Sequence, residues 1–336
     1  MNRNIIPIPT GIVRNLTPYV PGEQPQGGGI IKLNTNENPY PPAPEVIEAI
    51  RGADLVRMKL YPDPMCRELR GLLAEKHGAE PEEIFVGNGS DEVLRLLFQA
   101  YLEPADTLAM VEPTYSLYPV IAATLGAKTH VYDLGAEGDL PALPGLADSK
   151  IFVIASPNPP LGTFYPADEL GRRAASAPST LFIIDEAYVG FARGDATGLV
   201  KQYGNVVICR TFSKSYSLAG MRIGYVYGSQ EVIGNLNRIK DSYNVNFLSQ
   251  KAACAAVRAG QYYRDAAERV RRDREFLTDE LRRQGFRVYN SEGNFIFADN
   301  GDGRALYEYL KAKNILVRYF NTPRLSGGVR ITIGTH

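Results

Sequence analysis

The chain has 336 residues and a formal net charge of zero, because 37 Lys and Arg balance 37 Asp and Glu. This length predicts about two domains, and the balanced charge excludes a broad basic surface for nucleic acid. Hydrophobic residues make up 44% and charged residues 22%, which is typical of a folded globular chain. No run of about 18 apolar residues predicts a membrane span, and Pro7 and Pro9 interrupt any signal peptide. We therefore expect a cytoplasmic protein with no membrane partner.

Cysteine and histidine are too scattered to suggest a metal site. The cysteines are Cys66, Cys209 and Cys254, and the histidines are His77, His130 and His336. No Cys-x-x-Cys occurs and no two histidines have metal-binding spacing. We expect buried free thiols and no bound metal.

The first 250 residues predict an arm followed by a large domain. Residues 1–45 are rich in Pro, Asn and Gly, and predict an extended arm that ends where a helix begins near Pro44. From 46 to 250, helical patterns alternate with apolar runs, which are IFV (84–86), TLAMVE (107–112), IFVIA (151–155), LFIID (181–185), NVVICRTF (205–212) and RIGYVYG (222–228). Continuous apolar runs predict strands buried on both faces. The expected fold class is therefore α/β, with a mostly parallel sheet between helices.

Residues 251–336 predict a linker helix and a small α+β domain. The helical pattern extends from Ser249 to Gln284, and is followed by patterns for a strand, a helix and two further strands. The basic stretch RVRRDR is mixed with acidic residues, which favours a solvated helix face over a binding patch.

Three groups of polar residues follow predicted strands, where α/β sheets gather their ligands. Gly89, Ser90 and Asp91 precede a helix, so they predict either an anion cradle or a simple helix cap. Asp185 ends an apolar run and needs a cationic or proton-bearing partner, unless it is a structural cap. Lys214 follows another buried run among hydroxyl residues, where loss of solvent makes an amine more nucleophilic.

The order of these residues resembles the fold-type-I aminotransferases that depend on pyridoxal 5'-phosphate (PLP). Four segments are similar to the histidinol-phosphate aminotransferase family: LTPYVPGE (16–23), KLNTNENPYPP (32–42), TFSKSYSLAGMRIGY (211–225) and VRITIGT (329–335). The resemblance extends from about Asn15 to Thr335. One segment departs from the family pattern, because SPNPPLG (156–162) keeps Asn158 but has atypical neighbours.

The resemblance implies PLP as cofactor and gives each residue an expected role. Lys214 would bind PLP covalently and transfer a proton, Asp185 would pair with the pyridine nitrogen, and Tyr188 would complete the catalytic set. The other implied cofactor contacts are Tyr115 on the ring face, Asn158 and Tyr188 at the ring hydroxyl, Thr211, and Gly89, Ser90, Asp91, Ser213 and Arg222 at the phosphate. Tyr61 would reach the PLP of a partner subunit, which implies a homodimer with shared active sites.

The implied reaction transfers an amino group from L-histidinol phosphate to 2-oxoglutarate, giving imidazole-acetol phosphate and L-glutamate in histidine biosynthesis. Arg330 would bind the substrate anion, with Arg318, Tyr19 and Asn38 as further substrate contacts. From the residues alone, both arginines could instead be surface residues, a reading that is favoured for Arg318 and disfavoured for Arg330, whose apolar neighbours alternate as in a half-buried strand. Two alternatives stay open within the enzymes: an aromatic amino acid aminotransferase and a threonine-phosphate-type PLP decarboxylase. A catalytically inactive PLP-fold binding protein is a third, disfavoured by the intact Lys214, Asp185 and Arg222.

Overall fold

The computed structural model describes residues 8–25 and 28–336. Residues 1–7 and 26–27 of the predicted arm therefore lie outside the described residues. Its described part contains a short helix, α1 (Gly11–Asn15), and a short strand, β1 (Ile31–Lys32). Across residues 8–25 and 28–336, no helix combines the length and the apolar character needed to cross a bilayer.

A seven-stranded sheet forms the centre of the molecule. Its strands are β2 (Ile84–Gly87), β3 (Thr107–Glu112), β4 (Lys128–Asp133), β5 (Ile151–Ala155), β6 (Leu181–Asp185), β7 (Val206–Thr211) and β8 (Gly224–Tyr227). They are arranged in the order β2-β8-β7-β6-β5-β3-β4. Only β8 runs against the others, since it pairs antiparallel with both β7 and β2. The prediction of a mostly parallel sheet is confirmed.

Helices cover both faces of this sheet. One face packs against α2 (Pro44–Arg51), α3 (Arg67–His77), α6 (Ala167–Ser176) and α8 (Phe247–Arg258), and the other against α4 (Ser90–Tyr101), α5 (Leu117–Thr124) and α7 (Gln230–Ile239). Strand side chains alternate between the two layers: Phe182 and Ile184 point to the first, Leu181 and Ile183 to the second. Because both layers are apolar, these strands read as continuous hydrophobic runs.

Several elements differ from the sequence-based prediction. After the long helix, residues 287–332 hold five short strands where three were expected. Strand β4 was not predicted, because its residues are mostly exposed at the edge of the sheet and lack a continuous apolar run. The single helix expected from Ser249 to Gln284 is two helices, α8 and α9 (Gly260–Arg283), which meet at Ala259 and Gly260. Helix α8 packs beside α2 and α3, whereas α9 packs against the C-terminal strands. The break therefore lets the chain leave the central sheet.

The C-terminal part forms a second, antiparallel sheet in the order β12-β13-β10-β9. Its strands are β9 (Arg287–Val288), β10 (Phe295–Asp299), β12 (Arg318–Tyr319) and β13 (Gly328–Thr332), packed with α9 and α10 (Gly303–Ala312). Strand β1 pairs with β11 (Ile315–Leu316), and the Thr332 amide donates to the Leu33 carbonyl at 2.9 Å. The described end of the arm is thus attached to the C-terminal unit, while the exact domain boundaries stay a prediction.

Candidate active site

A cavity lies at the edge where six parallel strands of the central sheet end. Strands β2, β6 and β7 lead directly into Gly89, Asp185 and Ser213, and the antiparallel β8 begins at the same edge just after Arg222. Most of the predicted site residues line this cavity: Tyr19, Ser90, Asp91, Tyr115, Asp185, Tyr188, Thr211, Ser213, Lys214, Arg222, Arg318 and Arg330. Residues more than three hundred positions apart therefore meet, because the ends of the central strands, the C-terminal sheet and the arm adjoin here.

Lys214 projects into the cavity from the loop after β7. Its Nζ donates to the Thr35 carbonyl at 3.0 Å, and burial, with the positive charge of Arg330, lowers the pKa of the amine to about 8. A buried amine with this pKa is partly neutral near physiological pH. Lys214 can therefore act as a nucleophile and then as a base.

Asp185 ends β6 and is only 4% exposed. Its Oδ2 accepts a hydrogen bond from the Tyr118 hydroxyl at 2.8 Å, and its Oδ1 accepts one from the Ala187 amide at 3.0 Å. Burial raises the pKa of the carboxyl to about 6, so it is mostly ionised at neutral pH. Sequence reasoning missed Tyr118, although it lies three residues after Tyr115 in a helical pattern, a spacing that places both on one face.

A cradle for an anion lies between α4 and β8. Gly89 has φ +88°, a backbone conformation that favours glycine, and a Cβ there would lie 2.6 Å from Arg222 Nη2 and displace the guanidinium. Arg222 Nη1 donates to Ser213 Oγ at 3.4 Å and its Nη2 is 3.3 Å from Asp91 Oδ2. The first amides of α4 are unpaired within the helix, so this end of the cavity suits a phosphate.

Two further arginines line the cavity. Arg330 is half-buried on β13, donates from Nη2 to the Asn34 carbonyl at 2.8 Å, and keeps its buried Nε without a partner among the described residues. Arg318 donates to the Val20 and Pro21 carbonyls at 2.8 and 3.1 Å, so it ties the arm to β12. Tyr19 of that arm packs edge-on against Tyr115, with ring centroids 5.7 Å apart. Arg318 is therefore placed at the site and not on the outer surface.

Four predicted residues do not line the cavity. Gly89 lies behind Arg222. Asn158 is buried, where its Nδ2 donates to the Pro113 carbonyl at 2.8 Å and its Oδ1 accepts from Thr114 Oγ1 at 2.6 Å.

The amide of Asn38 donates to the Ser215 carbonyl at 3.1 Å, beside a separate groove. Tyr61 is 79% exposed and stacks on Tyr243. Asn158 and Asn38 thus support the loops that carry Tyr115 and Lys214, and a direct ligand contact stays a prediction for both.

A buried ion pair behind the cavity was also missed. Glu186 Oε2 lies 2.8 Å from Arg210 Nε and 2.7 Å from Arg210 Nη2. Asp195 Oδ2 lies 3.1 Å from the same Nη2. The other oxygen of Glu186, Oε1, accepts a hydrogen bond from the Ala196 amide. Burial opposes the charge on Arg210, but the Glu186 carboxylate raises the arginine pKa. Because Glu186 follows Asp185 directly, the pair anchors the end of β6.

The residues present fit PLP. The phosphate matches the cradle of α4, Ser213 and Arg222; the basic pyridine nitrogen matches the buried Asp185 carboxylate; and the aldehyde matches the Lys214 amine. A cofactor with an anionic end, a cationic ring atom and an electrophilic carbon needs these three partners in one cavity.

Known proteins resemble this chain over nearly all its length. A family model for aminotransferase class I and II matches residues 28–336. The histidinol-phosphate aminotransferase of Microcystis aeruginosa is 42% identical over 96% of this chain and 93% of its own length, and that of Geotalea daltonii is 42% identical over 96% and 94%. The solved histidinol-phosphate aminotransferase of Sinorhizobium meliloti, in complex with PLP, has a TM-score of 0.89 at 25% identity and covers 98% of this chain and 94% of that chain. The chain therefore belongs to the class I and II aminotransferase family, and within it to the histidinol-phosphate aminotransferases.

Proposed function

We propose that this aminotransferase uses PLP to transfer the amino group of L-histidinol phosphate to 2-oxoglutarate. The observation that carries the proposal is a single cavity that combines Lys214, Asp185 and two arginines, Arg318 and Arg330. The names of the curated relatives support the choice of substrate. Since the donor carries a phosphate and the acceptor two carboxylates, the cationic groups match an anion that both substrates present.

When bound, PLP supplies an electron sink for the charge that develops at the substrate Cα. Lys214 Nζ would take the proton from the substrate Cα and deliver it to the cofactor carbon C4′, on the far side of the substrate nitrogen, a task that suits an amine with a pKa of about 8. The ionised Asp185 carboxylate keeps the pyridine nitrogen protonated, and Tyr115 covers the ring face. Arg222 and Ser213 hold the phosphate so that the reacting atoms stay aligned with Lys214.

Arg330 binds the substrate anion through its unpartnered Nε and the rest of its planar guanidinium. Arg318 and Tyr19 close the cavity from the arm side and contact the distal phosphate of the donor. The hydrogen bonds from Arg318 to Val20 and Pro21 couple this contact to the position of the arm.

A panel of amino donors tests the substrate, with 2-oxoglutarate as acceptor: histidinol phosphate, phenylalanine, tyrosine and threonine phosphate. We expect histidinol phosphate to have the highest kcat/KM. Arg318→Ala should lower kcat/KM for it about 10- to 100-fold, since a hydrogen bond to a charged group is lost. Arg324→Ala is the matched control, because the Arg324 guanidinium donates hydrogen bonds to the Glu112 carbonyl and the Asp133 carboxylate, outside the cavity. A higher kcat/KM for phenylalanine or tyrosine would favour the aromatic amino acid aminotransferase. Release of carbon dioxide from threonine phosphate would favour the decarboxylase.

A homodimer with shared sites is part of this proposal. The segment Leu55–Tyr61 exposes four large aliphatic side chains and Tyr61, each more than half exposed, which is unusual for a free surface. Mixing Tyr61→Phe with Lys214→Ala should form heterodimers in which one site carries both changes and the other neither, so activity should return in part. A fully active monomer in sedimentation would exclude shared sites.

We also propose a cytoplasmic location. The three cysteines are buried free thiols, a state that a reducing compartment preserves. Cell fractionation with an activity assay tests this.

A further inference from the structure

Tyr118 is buried against the carboxylate that faces the cavity. It is 0% exposed and its hydroxyl donates to Asp185 Oδ2 at 2.8 Å. Its ring lies edge-on to Tyr115, with centroids 5.6 Å apart and an interplanar angle of 89°. The backbone of α5 and the Tyr115 ring thus position the side chain, and its hydroxyl bonds to Asp185.

Tyr118 can only donate to this carboxylate. Burial, reinforced by the charge of Asp185, raises the pKa of the phenol well above 10, so the hydroxyl keeps its proton at any pH at which the protein works. The Ala187 amide occupies the other oxygen at 3.0 Å. The two donors together fix the plane of the carboxylate and leave one lone pair of each oxygen for a further partner.

The surroundings of Asp185 otherwise disfavour its charge. The titratable groups that act on it or face it from the neighbouring elements are Asp91 on α4, Glu186 beside it, Cys209 on β7, Tyr115 and Tyr118 near α5, and Tyr188. Burial and the negative charges of Asp91 and Glu186 raise its pKa, whereas Tyr118 and the Ala187 amide lower it. A neutral side-chain donor here thus favours the ionised carboxylate.

We propose that Tyr118 is a positioning residue for the cofactor: its hydroxyl holds the Asp185 carboxylate ionised and oriented for the pyridine nitrogen of PLP. The inference rests on the proposed function, in which Asp185 pairs with that nitrogen. Tyr118 acts only through Asp185 and touches neither substrate nor cofactor.

The test measures cofactor affinity of the apo protein, with no turnover required. Wild type, Tyr118→Phe and Tyr165→Phe are titrated with PLP and with 1-deaza-PLP, in which C–H replaces the pyridine nitrogen, from about pH 5.5 to 8.5. Tyr165 is the matched control, because it is also buried and donates to a carbonyl, that of Gly138, at 2.9 Å. The phosphate and Lys214 titrate in all three proteins, so the differences between proteins report on Asp185.

We expect Tyr118→Phe to weaken PLP binding about tenfold at pH 7, since one hydrogen bond to the charged carboxylate is lost. The pH below which PLP affinity falls should rise by about one unit in this variant. Binding of 1-deaza-PLP should change less than about twofold, and Tyr165→Phe should match wild type with both ligands. Equal losses for the two ligands, or no loss in Tyr118→Phe, would overturn the positioning role. Failure of the wild type to bind PLP would overturn the proposed function itself.

Discussion

The ionisation of Lys214 is the property on which the proposed chemistry depends most. Burial and the charge of Arg330 lower its pKa from 10.5 to about 8. At pH 7 about one amine in ten is then neutral, roughly 300-fold more than for an unperturbed lysine, which corresponds to about 3 kcal/mol. Because the unfolded chain keeps this proton up to about pH 10.5, the buried charge destabilises the folded apo protein below pH 8, and the penalty disappears as the pH rises from 8 to 10.5.

Pulse acetylation of the apo protein between about pH 6 and 11, followed by mass spectrometry of the Lys214 peptide, measures this pKa. Half-maximal reactivity should occur near pH 8 in the wild type. Arg330→Gln should move the midpoint upward, because a neighbouring positive charge is removed, and Arg324→Gln should leave it unchanged. A wild-type midpoint near 10.5 would show that the cavity does not perturb the Lys214 amine.

Three further changes probe the site and its support. Asp185→Asn should lower kcat about 100-fold or more while PLP affinity falls much less, as steady-state kinetics and PLP titration would show; unchanged kcat would exclude the role. Glu186→Gln should lower the free energy of unfolding, measured in urea, by about 3 kcal/mol, since Arg210 loses its buried partner. The control Glu68→Gln, in an exposed ion pair, should lower it by less than about 1 kcal/mol. Equal losses of unfolding free energy in the two variants would contradict this. Gly89→Ala should weaken PLP binding about tenfold or more, because its Cβ would lie 2.6 Å from Arg222; wild-type affinity would exclude the cradle.

Strands buried on both faces could be predicted from the sequence because each leaves a continuous apolar run. Runs such as LFIID and NVVIC also located the polar residues at their ends, which is why Asp185 and Lys214 were found. Edge strand β4 has no such signature, since its exposed face is polar. The break before Gly260 was missed because α8 and α9 are each helical by local pattern, and only packing separates them.

Contacts made by backbone carbonyls or by buried partners were not accessible from sequence. The Thr35 carbonyl that receives the Lys214 hydrogen bond comes from the arm, 179 positions away. Tyr118 and Arg210 look like ordinary helix and strand residues until the fold places them beside Asp185 and Glu186. For Asn158 the motif predicts a ligand contact, whereas in the structure its side-chain amide hydrogen-bonds to the Pro113 carbonyl and the Thr114 hydroxyl.

The site at which the cofactor attaches covalently distinguishes Lys214 from every other lysine of the chain. The protein is incubated with PLP, reduced with borohydride, digested and mapped by mass spectrometry. We expect a pyridoxyl group on Lys214, whose amine lines the cavity with Asp185 and Arg222, and no attachment in Lys214→Ala. A pyridoxyl group on another lysine, or no modification of the wild type, would contradict this expectation.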